Sequence, residues 1–246
     1  MIQKFNPFVS NDYPTTDLRA MSETEWHRRI LFEVINALQR HFANDPKVYV
    51  SGDMLVFSRP GDKRWHLAPD VFVVRGVRKD GERPNYLIWE EGKAPEVVIE
   101  ITSKTTKKND LGKKFDRYRD EWKVKEYFLF DAYEDYLDPS LQGYRLVDGA
   151  FVPIREKDGR FPSRILGLHL ERSGPELRFW NPDTGSWILT DAEYAEEQRR
   201  NAEEQRRNAE EQRKRAEAAE AEVARLRAML GGRPNGPANG HAVNGR

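Results

Sequence analysis

The alternation of apolar and polar residues predicts one amphipathic helix followed by a series of strands. In the segment SETEWHRRILFEVINALQRHF, apolar residues recur every three or four positions, as in a helix with one buried face. Ser22 and Glu25 form an S-x-x-E capping box at the start of this helix. Short apolar runs predict strands at 47–51, 54–58, 69–76, 86–89, 96–102 and 126–131. A second helix is predicted from about 109 to 122, before the last of these strands.

The order of these elements indicates the fold class. Helix, several strands, helix and strand are typical of an α/β or α+β fold built around a central mixed sheet. The later segments YRLVDGAFVPI and LHLERSGPELRFWNPDTGSWIL are expected to be β-hairpins that extend or flank this sheet, and Asp148-Gly149 is a favourable two-residue turn. We therefore expect residues 1–190 to form one domain.

Residues 191–230 differ sharply in composition, because they are almost entirely Ala, Glu, Gln, Arg and Asn. The unit AEEQRRN recurs every seven residues from Ala195, which predicts one long helix. The a positions are Ala or Val, but the first three d positions are Gln, so the apolar seam is weak. The pattern suits either a solvated helix or a coiled-coil-like arm that oligomerises. Residues 231–246, rich in Gly, Asn and Pro, are predicted to be a disordered tail.

Composition narrows the class of protein. The 246 residues are 38% hydrophobic, which is enough for a substantial core. Lys and Arg total 41, as do Asp and Glu, so attraction to nucleic acid has to come from local patches. The absence of cysteine excludes disulfides, thiolate nucleophiles and Cys-ligated zinc. Without an apolar leader or an apolar run of membrane-spanning length, the chain is expected to be cytoplasmic and to have no membrane partner.

Two acids in apolar strands are the first candidates for chemistry. Glu100 lies in EVVIEITSK, where an ionised carboxylate in an apolar interior is costly unless it is paired or bound to a cation. Asp70 follows Pro69 at the start of another apolar strand. If the strands pair, the two carboxylates need a shared proton or a hard cation such as Mg2+. The alternative is that Asp70 caps a turn and Glu100 pairs with a basic residue of the core.

The helix predicted over 109–122 offers a lysine to this pair. At about 100° per residue, one stripe faces the sheet. It comprises Leu111, Phe115, Tyr118 and Trp122. Lys114 lies roughly 60° from the middle of the stripe and Lys113 about 170° away, so only Lys114 can readily reach inward. Beside a metal site a lysine can polarise water or offset charge on a phosphate, but it can also simply snorkel at the edge of the buried face.

The histidines are weaker candidates for residues of the site. His27 projects near the centre of the apolar face of the first helix. It is either a residue of the site or a core histidine whose ring is satisfied by a hydrogen bond. Glu33 projects to the opposite face and is not assigned to the site. His66 precedes Asp70 closely, but its spacing does not require it to line a cleft.

The residues described so far carry a family resemblance when taken as an ordered set. Pro69-Asp70, EITS from Glu100, DLGKKFDRY from Asp110 and EYFLFD from Glu126 together resemble the Uma-two family, bacterial proteins described as restriction endonucleases. The resemblance extends over residues from about 20 to 190. It implies a restriction-endonuclease-like fold, flanked by helices, with a variant of the PD-(D/E)xK nuclease motif.

The resemblance also implies roles for particular residues. Asp70 and Glu100 would bind one or two Mg2+ ions, with Mn2+ as a substitute, and the backbone carbonyl of Ile101 would be a further ligand. The lysine usual two residues after the glutamate is replaced here by Thr102. Members like this one supply the lysine from the following helix, which points to Lys114 as the third catalytic residue.

Other matched positions receive lesser roles. His27 matches a histidine of the family's first helix and is expected near the site without an assigned role. The resemblance also matches Asp110, Tyr118 and Asp131, which are expected to be scaffold: a helix cap, a core aromatic and a strand-end acid.

The function expected on this basis is that of a Mg2+-dependent endodeoxyribonuclease that cleaves DNA phosphodiester bonds. Basic residues in segments 104–108 and 113–119 could form a local positive rim for DNA. The alternative is a catalytically weak or inactive protein of the same fold that acts as an interaction or regulatory module through its C-terminal helix. Homo-oligomers are expected through the nuclease domain or through residues 191–230.

Overall fold

The computed structural model describes residues 13, 14 and 25–231. Its helices are α1 (Glu25–His41), α2 (Ile88–Glu91), α3 (Lys107–Asp110), α4 (Lys113–Asp120) and α5 (Asp191–Gly231). Its strands are β1 (Val48–Ser51), β2 (Val56–Phe57), β3 (His66–Leu67), β4 (Val71–Arg75), β5 (Tyr86–Leu87), β6 (Val97–Ile101), β7 (Glu126–Phe130), β8 (Leu141–Val147), β9 (Ala150–Pro153), β10 (Phe161–Ser163), β11 (Leu168–Ser173), β12 (Glu176–Asn181) and β13 (Ser186–Trp187). The predicted capping residue Ser22 and the predicted tail beyond 231 lie outside the described residues.

A six-stranded sheet forms the centre of the fold, in the order β1-β4-β6-β7-β8-β9. Strands β6 and β7 are parallel, and the other neighbours are antiparallel. Parallel neighbours need a crossover connection, and α3 and α4 lie within the one that joins β6 to β7. The prediction of a mixed α/β fold around a mixed sheet is therefore confirmed.

The two faces of this sheet bury different sets of side chains, because successive residues of a strand point to opposite faces. In β6, Val97, Ile99 and Ile101 join the core cluster that contains the apolar face of α1. Val98 joins the cluster of Tyr118 and its neighbours on and after α4. By this alternation, Glu100 lies on the α4 face of the sheet.

The C-terminal hairpins both extend and flank the central sheet. Strands β8 and β9 extend it, and the turn between them is Asp148-Gly149, with φ of 49° and 82° as a two-residue hairpin turn requires. Strands β10 to β13 instead form a separate antiparallel sheet. Apolar residues of this second sheet, such as Leu168 and Phe179, complete the core beneath α1.

The prediction of one continuous helix over 109–122 was wrong. The segment is divided into α3 and α4, with Leu111 and Gly112 between them. Leu111, predicted to face the sheet, is 40% exposed, because the count of 100° per residue does not continue across the break. A Cβ on Gly112 would lie only 2.8 Å from the carbonyl oxygen of Lys108, so the break depends on glycine. The predicted strand 86–89 is likewise shorter, because Ile88–Glu91 is helical.

The chain divides at Asp191 into two units, and α5 from Ala192 onward belongs to the second. The long helix predicted from the heptad repeat is confirmed. Ion pairs at i, i+4 spacing lie along it, including Lys214 with Glu210 at 2.7 Å and Arg215 with Glu211 at 2.6 Å. Oligomerisation through this helix stays a prediction. Among the described helices, none combines the length and the apolar character needed to cross a membrane.

Candidate active site

Strand register brings the two predicted metal-binding acids together. In the antiparallel pair β4 and β6, Val71 lies opposite Ile99, so continuing the register by one residue sets Asp70 opposite Glu100. The backbone N–H of Ile101 donates to Oδ2 of Asp70 at 2.6 Å. The backbone N–H of Asp70 in turn lies 3.4 Å from Oε2 of Glu100. Each acid is thus held against the strand of the other.

The Glu100 side chain is completely buried, and both of its oxygens are engaged. Lys114 Nζ donates to Oε2 at 2.8 Å, and the hydroxyl of Tyr118 donates to Oε1 at 2.6 Å. The residue types and their spacing indicated that Lys114 faces inward and Tyr118 lies in the core. They did not reveal that Tyr118 is a hydrogen-bond donor to Glu100.

A third acid contacts the same lysine. Asp110 Oδ1 lies 3.4 Å from Lys114 Nζ, and the side chains of Asp110 and Lys114 are 1% and 12% exposed. The expectation that Asp110 caps a helix was wrong: it is the last residue of α3, and Gly112 occupies the N-cap position of α4. The neighbouring Lys113 is exposed.

The remaining predicted residues lie at different distances from this cluster. His27 lies beside it, with Nε2 3.7 Å from Oδ1 of Asp70. His66 packs against the ring of Phe57 and contacts the carbonyl of Lys63. Asp131 is buried at the end of β7, where its carboxylate accepts backbone N–H groups of the loop that follows, including that of Leu137 at 2.8 Å. Its role as a strand-end acid is structural.

The pKa values of these groups are shifted in opposite directions. Burial raises the pKa of Glu100 well above its ordinary value; Lys114 opposes this, while Asp70 and Asp110 reinforce it. Burial also acts to raise the pKa of Asp70, but the nearby imidazole of His27 and the charge of Lys114 outweigh it, and the pKa is lowered. Burial mainly accounts for the raised pKa of Asp110.

Lys114 is held in its charged form by its surroundings. Burial acts to lower its pKa, but attraction to Glu100, Asp70 and Asp110 more than compensates, and the pKa is raised. Three acids therefore surround one permanent cation. Carboxylates with pKa values pushed apart, next to a charged lysine, are typical of catalytic clusters.

The donor set fits a hard divalent cation. Mg2+ takes one or two protein carboxylates and completes its octahedron with water and substrate oxygens. Asp70 and Glu100 offer two such carboxylates side by side, in a cluster with excess negative charge. Within the described residues no group of three or more His, Asp or Glu side chains is arranged to hold a metal, so water and substrate would supply the remaining ligands. The carbonyl of Ile101 as a further ligand stays a prediction.

Comparison with known proteins gives the family. Residues 3–173 match the family Uma2, described as "Putative restriction endonuclease". Among solved structures, a putative nuclease belonging to DUF820 from Anabaena variabilis is similar, with 18% identity over 61% of this chain and 79% of that chain, and a TM-score of 0.45. No curated protein matches the chain. Because the family match extends over well more than half of its residues, this chain belongs to the Uma2 family.

Proposed function

We propose that this protein is a Mg2+-dependent endodeoxyribonuclease that hydrolyses DNA phosphodiester bonds by a PD-(D/E)xK-type mechanism. The observation that carries the proposal is the meeting of Asp70, Glu100 and Lys114 at one buried point, from β4, β6 and α4. Mn2+, which also takes oxygen ligands, is expected to substitute for Mg2+.

In this proposal Asp70 and Glu100 hold the cation, which when bound supplies Lewis-acid stabilisation of the phosphate and a more acidic water. Tyr118 occupies Oε1 of Glu100, so that Oε2 is the oxygen turned toward Asp70 and Lys114. The N–H of Ile101 keeps the Asp70 carboxylate at the same point. The ammonium of Lys114 donates a hydrogen bond to the attacking water or to a phosphate oxygen as negative charge develops there.

Exposed lysines lie next to this cluster in sequence and suit contact with a DNA backbone. They are Lys104, Lys107, Lys108 and Lys113. The arginines of segment 113–119 are already engaged: Arg119 pairs with Asp116 and Asp120, and Arg117 pairs with Glu121. The lysines are therefore the basic residues of the two segments that are available for phosphates. Replacing three of them by alanine should weaken DNA binding and reduce the slope of log affinity against log salt by about 2 to 3.

Cleavage of supercoiled plasmid tests the proposed reaction. We expect nicking with Mg2+ or Mn2+ and none with a chelator. Asp70→Asn, Glu100→Gln and Lys114→Met should each slow cleavage by about a hundredfold or more, as expected for groups that act on the reacting atoms. The matched control is Lys157→Met, an exposed lysine outside the two basic segments. If the three site variants retain full activity, the site assignment is wrong.

One observation favours a second candidate, a catalytically weak or inactive interaction module. Near the end of α5, the apolar side chains of Val223, Leu226, Met229 and Leu230 are 47%, 48%, 64% and 75% exposed. Val223 and Leu226 occupy a and d positions of the heptad repeat. Exposed apolar side chains at these positions can pack against a second copy of the same helix. Self-association that Leu226→Glu abolishes, together with no heat of Mg2+ or Mn2+ binding in calorimetry, would favour this candidate over the nuclease.

A further inference from the structure

The Asp110 carboxylate is a buried acid for which the reaction proposed above has no use. The side chain is 1% exposed, and within the described part of the chain neither of its oxygens accepts a hydrogen bond of normal geometry, although the side chains of Thr106 and Lys114 lie near enough to favour its charged form. Its ion pair is with Lys114, at 3.4 Å. A buried carboxylate with unused hydrogen-bonding capacity is destabilising, so its presence here needs an explanation.

The main chain of Asp110 is held firmly at this place. Its N–H donates to the carbonyl of Thr106 at 2.9 Å, and its carbonyl accepts a hydrogen bond at 3.0 Å from the fully buried hydroxyl of Tyr127. The break at Gly112 then begins α4, which carries Lys114 back toward Asp110. The carboxylate is therefore fixed beside the ammonium.

The arrangement gives Lys114 two carboxylate partners of unequal strength. In the structure, Nζ is closer to Glu100, at 2.8 Å, than to Asp110. A divalent cation on Glu100 would repel the ammonium and compete for Oε2. Asp70 also attracts Lys114, but it would be engaged by the same cation. Lysine is a flexible four-carbon side chain that is strongly hydrated, so without a further anion nearby it would turn toward solvent.

We propose that Asp110 is a positioning residue that retains Lys114 in the cluster when Glu100 is engaged by a divalent cation. This inference rests on the proposed nuclease function in one respect, because the cation belongs to that function. The exchange of partners itself requires only that Glu100 lose its negative charge. Lys114 then moves from Glu100 to Asp110 and donates to one of its carboxylate oxygens.

Chemical labelling tests the exchange without a metal and without DNA. Glu100→Gln removes the charge that a cation would neutralise, and Asp110→Asn removes the second anion. Acetic anhydride labels accessible amines, and mass spectrometry compares Lys114 with the exposed Lys113 in the same peptide. We expect Lys114 to stay protected in the wild type and in Glu100→Gln. In the double variant its labelling should rise about tenfold, the order expected for loss of a charge-assisted hydrogen bond.

Two results would overturn the inference: fast labelling of Lys114 in Glu100→Gln alone, or slow labelling in the double variant. Circular dichroism and urea unfolding identify any variant that is not folded. For such a case the same comparison is made with Asp110→Ser, which also removes the anion and leaves a smaller side chain.

Kinetics provides a second readout. With Mg2+, Asp110→Asn should lower kcat about tenfold with little change in KM or in the Mg2+ affinity measured by calorimetry. Asp110→Glu should restore part of kcat, which a purely structural role would not predict. Asp116→Asn, at a 63% exposed position of α4, is the matched control and should leave kcat unchanged. If the wild type does not cleave DNA, the proposed function fails, and the labelling still decides the role of Asp110.

Discussion

Replacement of Lys114 by methionine is expected to be strongly destabilising in the absence of metal. The Lys114 side chain is 12% exposed and that of Glu100 is completely buried, with 2.8 Å between Nζ and Oε2. Methionine keeps most of the side-chain volume and removes the charge. Glu100 and Asp110 are then left in the interior without their shared cation.

The size of the effect follows from this burial. Removing one partner of a buried ion pair costs about 3 to 5 kcal/mol, because the other charge remains desolvated and uncompensated. For a chain of this size that corresponds to a fall in Tm of about 6 to 20 °C. Burial already raises the pKa of Glu100, and loss of Lys114 should raise it further. With the pKa of Glu100 above its unfolded value, the folded variant binds more protons than the unfolded chain once the pH exceeds the ordinary carboxyl pKa, so its destabilisation should grow as the pH rises.

Urea unfolding in the presence of a chelator measures the effect. Glu100→Gln with Lys114→Met should be more stable than the sum of the single variants predicts, with a coupling of about 1 to 3 kcal/mol. The control Lys113→Met should change the free energy of unfolding by less than about 0.5 kcal/mol. A Lys114→Met variant as stable as this control, or a double variant without coupling, would show that the buried pair is not as described.

Three further predictions concern the surroundings of the site and the α1 core. Tyr118→Phe removes the 2.6 Å hydrogen bond to Glu100 and should lower the free energy of unfolding by about 1.5 to 3 kcal/mol and slow plasmid cleavage; unchanged values of both would contradict it. Burial lowers the pKa of His41 below 6.5, so the folded chain binds fewer protons than the unfolded one and stability falls as the pH drops through 6.5; in urea unfolding this loss should be smaller for His41→Gln. A Cβ at Gly52 would lie 1.9 Å from the carbonyl oxygen of Asp70, so Gly52→Ala should destabilise the fold by about 1 to 3 kcal/mol. The same shift should displace Asp70 and weaken Mg2+ binding in calorimetry. A normal Mg2+ affinity would show that Gly52 does not position Asp70.

The features of the site that could be predicted from sequence are those encoded locally. An acid inside an apolar strand indicated that Glu100 is buried and needs a partner. Helical projection separated Lys114 from Lys113 correctly, because both follow the break at Gly112 and lie in the same short helix. Their catalytic roles, with that of Asp70, stay predictions until cleavage is measured.

The errors fall at one place in the chain. Projection failed at Leu111 because a straight helix was assumed over 109–122, and Asp110, matched by the resemblance and expected to cap a helix, is instead the last residue of α3. A single glycine in a helical pattern is tolerated at a cost of about 1 kcal/mol relative to alanine, so its presence does not by itself show that the chain turns at Gly112. The break is stabilised by contacts of the folded chain, among them the hydrogen bond from Tyr127 to the carbonyl of Asp110.

The sequence by itself determined the elements: the amphipathic face of α1, the buried strands, the Asp148-Gly149 hairpin and the long heptad helix. These depend on periodicity and turn chemistry, which act between residues close in the chain. Only the tertiary structure decided that Asp70 lies opposite Glu100, that Tyr118 donates to Glu100, and that Asp110 shares Lys114. Those contacts depend on strand register and on the break between α3 and α4, which are set by the packing of the whole core rather than by any one segment.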